Sequence, residues 1–85
     1  MIFEQIYVEC YSGYKANERP VAFTFRDRRW EVAEIVDRWY EGNPEAGLPA
    51  LDYFKVRTLE GKTFLLRYNA LFDAWSIAIP DSKNE

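Results

Sequence analysis

Short runs in which apolar and polar residues alternate with a period of two set the strongest limit on this fold. VAFTF places Val21, Phe23 and Phe25 on one face and Ala22 and Thr24 on the other. FKVRT sets Phe54, Val56 and Thr58 opposite Lys55 and Arg57, and AWSIAI points Trp75, Ile77 and Ile79 one way. IFEQIYVECY and TFLLRY add two more runs of aromatic and β-branched residues. Successive side chains of a strand point to opposite faces, so this pattern predicts half-buried strands.

Glycine and proline concentrate in SGYKANERP (12–20) and EGNPEAGLPA (41–50), which reads them as loops, the second long enough for a flap or binding edge. Between 54 and 66 the register can be worked out. A two-residue turn at Glu60-Gly61 would set charged Arg57 against Phe64. A three-residue loop, Leu59-Glu60-Gly61, instead matches Val56 with Phe64 and Phe54 with Leu66. It puts Gly61 in the left-handed position of a type I turn with a G1 bulge. A one-residue slip would turn an apolar set to water, so the three-residue loop is the expectation.

FRDRRWEVAEIVDRWY (25–40) has two readings. Val32, Ile35, Val36 and Trp39 fall at helical spacing, and Glu34 and Arg38 lie one turn apart. Yet its residues are mostly strand formers, and Asp27-Arg28 makes a plausible tight turn after VAFTF. The strand is favoured, with one β-bulge near Glu34 that keeps Val32, Ile35 and Trp39 on a single face.

With these readings in place, PVAFTFRDRRWEVAEIVDRWYEG, YFKVRTLEGKTFLLRYN and DAWSIAI resemble a family of small bacterial β-rich proteins of unknown function. Some members of that family are encoded near translesion DNA polymerase genes. The resemblance covers residues 20–79 and rests on hydrophobic spacing plus Trp39 and Trp75. It implies a β-rich domain and a strand over 32–40, and it carries over no catalytic residue.

Composition then narrows the chemistry. A chain of 85 residues that is 48% hydrophobic and 18% aromatic can build one core without metal or disulfide staples. There is no histidine, which removes the usual general base, Ser-His and Cys-His pairs and most zinc sites. No glycine-rich phosphate loop, EF-hand or Cys/His metal spacing occurs, so the chain is read as a non-enzyme without cofactor or metal. Lone Cys10 reads as a structural thiol, and a single cysteine favours the cytoplasm. MIFEQIYVEC reads as neither a signal peptide nor a membrane anchor. The net charge of -3 argues mildly against a general nucleic-acid binder.

Basic and aromatic residues are the remaining functional candidates. Arg26, Arg28 and Arg29 beside Trp30 could grip phosphates and stack a base. Lys55, Arg57 and Arg67, near Tyr53, form a second cationic group on the outward sheet face. The plain alternative is a solvated turn and a charged face that discourages aggregation. Tyr14, Tyr40 and Phe72, in or beside loops, are candidate partner anchors.

The expectation is an all-β domain over 1–80, with a disordered tail over 81–85. Six antiparallel strands in a meander would form a small SH3-like or OB-like barrel or a strongly twisted sheet. Trp39, Trp75, Phe23, Phe25, Phe54, Val56, Phe64 and Leu66 would fill its core, and any helix would be short, in 43–50 or near 70–74. The functional expectation is a protein-interaction module, with single-stranded nucleic-acid binding through Arg26, Arg28, Arg29 and Trp30 as the alternative.

Overall fold

In the computed structural model, which describes residues 2–11, 19–42, 47 and 50–79, six antiparallel strands follow one another around a closed barrel. They are β1 (Ile2–Tyr11), β2 (Arg19–Phe25), β3 (Arg28–Glu41), β4 (Leu51–Thr58), β5 (Thr63–Asn69) and β6 (Ala74–Ile79). The expected tail over 81–85 and the expected loops, apart from residues 19, 20, 41, 42, 47 and 50, lie outside the described residues. So does most of the possible helix at 43–50. Residues 70–73 are a turn, not a helix.

Two long strands turn the corners. Residues 2–6 of β1 pair with β6, and residues 7–11 pair with β2. Residues 28–31 of β3 pair with β2, and residues 32–41 pair with β4. A strand shared between two pairings must bend, and bulges supply the bend. Val21 is left unmatched where Glu9 pairs with Ala22 and Cys10 with Pro20. That corrects the expected face of VAFTF: Val21 is exposed, while Ala22 and Phe23 are buried.

The core consists of Phe23, Trp30, Phe54, Val56, Leu66, Trp75 and Ile77, with Phe25, Phe64, Val32 and Ile35 packed against it. Phe64 meets Phe23 and Trp30 edge-on at centroid distances of 5.3 and 5.0 Å, an arrangement that suits the ring quadrupoles. The fully buried Phe23, Phe54, Val56, Leu66 and Ile77 each contribute about 1.5–3 kcal/mol by leaving water.

The hairpin between β4 and β5 has the expected register. Val56 faces Phe64, and Phe54 faces Leu66. Gly61 N–H donates to the Thr58 carbonyl at 2.9 Å, Thr58 N–H donates to the Lys62 carbonyl at 2.8 Å, and Gly61 has φ +87°. These are the bonds of a type I turn followed by a G1 bulge.

The β2–β3 turn differs from its expectation. Phe25 pairs with Arg28, so the turn residues are Arg26 and Asp27, not Asp27 and Arg28. Both have positive φ, 58° and 61°. Two successive left-handed residues make the type I′ turn whose twist matches a hairpin, a conformation that asparagine and glycine adopt more easily.

Residues 31–40 are strand, but with two bulges in place of one. The register shifts between Val32 and Glu34 and again between Ile35 and Asp37. One bulge would have brought Trp39 inward with Val32 and Ile35. The second changes the parity again, so Arg38 turns inward over the Phe54 ring and Trp39 turns out. Trp39 is therefore not a core residue; it is 38% exposed.

Candidate functional site

Alternation along β4 and β5 puts Tyr53, Lys55 and Arg57 on the face opposite Phe54 and Val56, with Leu65 and Arg67 beside them. Ala78 of β6 and Phe3 of β1 continue this outer face, through Leu66 facing Ile77 and Phe3 facing Ala78. Trp39 reaches it from β3 and stacks on Tyr53, with ring centroids 5.2 Å apart and planes 4° from parallel. Phe3 meets the same Tyr53 edge-on at 6.3 Å. The Arg67 guanidinium lies over the Phe3 ring at 3.8 Å. Covered by these neighbours, Tyr53 is only 9% exposed although it points away from the core.

A hollow of about 540 Å³ opens beside this aromatic group. It begins at Trp39, crosses Lys55, Leu65 and Ala78, and reaches the barrel end that carries the β2–β3 turn and the start of β5. There Phe25, Arg26, Thr63, Phe64 and Ile79 complete its lining. Among the described residues the lining is mostly apolar, its two charged residues are both cations, and no carboxylate lines it. Sites of this size that are largely apolar, with a few placed polar groups, commonly hold ligands.

Ion pairing divides the cations. Arg29 donates from Nε and Nη2 to the two oxygens of Glu9, both at 2.9 Å, and from Nη1 to Glu31 at 3.2 Å. This fork-to-fork pairing holds the Glu9 carboxyl below its ordinary pKa and raises Arg29 further. Ala22, matched to Glu9 on one side and Glu31 on the other, is fully buried in this part of the sheet. Arg28 pairs with Glu60, tying the β2–β3 turn to the β4–β5 hairpin, and lies over the Trp30 ring at 4.0 Å. Arg57 pairs with Glu34 at 2.7 Å, and Arg38 lies 3.9 Å from Asp52. Arg26, Lys55 and Arg67 have no carboxylate partner among the described residues. Arg26 instead lies over the Phe25 ring at 4.9 Å.

The candidates from sequence therefore separate. Arg28 and Arg29 are engaged by carboxylates, and Trp30 is 9% exposed and faces the core, so it presents no ring for a base. Tyr40 is exposed near the far end of β3, opposite Asp52, away from the hollow. Lys55 lines the hollow together with Arg26; Arg67 and Tyr53 flank it, while Arg57 is held by Glu34. Sequence reasoning missed Trp39, Leu65 and Phe3. The outward alternation of TFLLRY was the available signal for Leu65, while Trp39 required the bulge count.

Cys10 is half-buried beside the core, and burial, with Asp73 second, raises its thiol pKa, which suits an inert side chain. Among the described residues, no group of three carboxylates or cysteines is placed to hold a metal ion, and no helix is long and apolar enough to cross a membrane. No protein-family model, curated protein or solved structure matches the chain.

Proposed function

We propose that this chain is a non-catalytic protein-interaction module, and that the hollow beside Trp39 is its binding face. One observation carries the reading: Trp39, a large aromatic side chain, is held on the outer face against Tyr53 at the mouth of a largely apolar hollow. A pre-positioned aromatic ring beside an apolar depression is the usual make-up of an interface hot spot, because little side-chain freedom is lost on binding. The strained Arg26 and Asp27 backbone adds support, since strain is retained where a local geometry is useful and Arg26 lines the hollow. A lone cysteine and the absence of histidine fit a cytoplasmic protein without acid–base chemistry.

Strand addition is a weaker route to the same end. Residues 32–41 of β3 pair only with β4 among the described residues, but the two bulges and the charges of Glu34, Asp37 and Arg38 are devices that protect an edge. Side-chain recognition in the hollow is the better fit. The nucleic-acid alternative at the β2–β3 turn loses its stacking ring to the core and two of its arginines to Glu9, Glu31 and Glu60.

Selection of a displayed library of random peptides tests the reading. Enriched peptides should bind the wild-type chain saturably and lose most of that binding to Trp39→Ala or Leu65→Asp. Peptides that bind both variants undiminished would remove the hollow from the function.

A further inference from the structure

Resting on that reading, we infer that the partner segment is an apolar peptide carrying carboxylates. Pairing sets the charge preference. Among the described residues, Arg28, Arg29, Arg38 and Arg57 each have a carboxylate within ion-pair reach. Arg26, Lys55 and Arg67 do not, and all three lie in or beside one hollow. No described acidic residue lines that hollow, although the chain as a whole has more acidic than basic residues. Arg19 and Lys62 also have no carboxylate within ion-pair reach among the described residues and do not line the hollow. Three of these five cations therefore gather at one apolar depression of a chain with net charge -3, which makes it complementary to an acidic, apolar surface.

The neighbours of these cations also fit such a partner. Arg67 and Arg26 are held over the faces of Phe3 and Phe25, which leaves guanidinium N–H groups for a carboxylate at the edge of each ring. Lys55 faces Leu65 across the β4–β5 ladder and Asp37 on β3, and Trp39 lines the hollow with it. The Asp37 carboxylate accepts the Arg38 N–H at 2.8 Å and makes no ion pair with Lys55. An extended peptide could therefore lay apolar side chains on Trp39, Leu65 and Ala78 while its carboxylates meet the cations. Extended strands alternate side chains between two sides, so acidic and apolar residues in alternation suit this layout. A nucleic acid would share the anionic character. It is disfavoured by the overall negative charge and by Trp39 already stacking one face on Tyr53.

The test is a titration of the whole chain, labelled with nitrogen-15, with three probes. These are a synthetic peptide alternating Leu or Trp with Glu, the same peptide with Lys in place of Glu, and oligothymidine. Trp39 is the most exposed of the three tryptophans, so its indole N–H resonance marks the hollow. The acidic peptide should shift that resonance saturably. Its affinity should fall about five- to tenfold in Lys55→Glu and fall again as salt rises. Arg67→Glu should weaken it in the same direction, and Arg19→Glu, a cation at a separate hollow lined by Pro20 and Val32, should leave it nearly unchanged. If the lysine peptide binds as tightly at Trp39, the acidic preference is wrong while the hollow remains the binding face. If no peptide moves the Trp39 resonance, the interaction reading and this inference both fall. If oligothymidine alone moves it, the partner is a nucleic acid and the inference is overturned.

Discussion

Arg29-Trp30 and Arg38-Trp39 are the same dipeptide on the same strand, and the two tryptophans have opposite surroundings. Trp30 is part of the core, packed on Phe23 and Phe64, with its outer side covered by Arg28. Trp39 stacks on Tyr53 outside the barrel and leaves 38% of its surface to solvent. The arginines are reversed: Arg29 points outward to Glu9 and Glu31, whereas Arg38 points inward over Phe54. The residues themselves do not explain this. The strand between them does: the pairs are nine positions apart, an odd spacing that opposes the rings. The bulges at Ala33 and Val36 each invert the faces and so cancel, where a single bulge would have turned both rings inward.

The largest effect should come from truncating the two rings. Trp30→Ala is expected to cost about 3–5 kcal/mol of stability, since a buried ring is lost and a cavity left behind. Trp39→Ala should cost about 1 kcal/mol, the scale of one aromatic pair on a partly wet face. Urea unfolding of both variants measures the difference, and equal losses would break the distinction between the two sites.

Adjacent leucines sharpen the same contrast one strand away. Leu66 is fully buried, and Leu65 lines the hollow. Leu66→Ala should cost about 3 kcal/mol and Leu65→Ala about 1 kcal/mol or less, read from thermal midpoints.

At the β2–β3 turn the sign should reverse. Asp27 has φ +61°, which glycine adopts at little cost, so Asp27→Gly should raise stability by about 1 kcal/mol in the same urea assay. A loss would mean that the Asp27 side chain contributes more than its backbone strain costs.

The smallest effect concerns the cations engaged near Trp30. Arg29 lowers the Glu9 pKa from its ordinary 4.5, so ionised Glu9 favours the folded state above that pH. This contribution fades as pH falls through the lowered folded value. Acid titration should show wild type more stable than Glu9→Gln near neutrality and the two converging in acid. The pair is exposed, so the gap should be small.

Legibility from sequence followed the same division. The β4–β5 hairpin could be worked out because its two faces differ sharply in polarity and Gly61 allows only one low-strain turn. Six strands followed from the alternating runs and the loop signals between them. Trp39 could not be placed, because a bulge adds a residue without altering the composition, and each added residue inverts the faces beyond it. Val21 was misplaced for the same reason. The two cationic groups looked alike because the carboxylates that distinguish them, Glu9 for Arg29 and Glu60 for Arg28, come from distant strands or turns. Those partners become neighbours only when the barrel closes.

Acrylamide quenching of tryptophan fluorescence in the free chain, compared between wild type and Trp39→Phe, tests the opposed placement of the two rings most directly. The predicted result is a quencher-accessible component in wild type that disappears in Trp39→Phe and persists in Trp30→Phe. An accessible component that survives in Trp39→Phe and is lost in Trp30→Phe would contradict the placement of both rings, and with it the binding face.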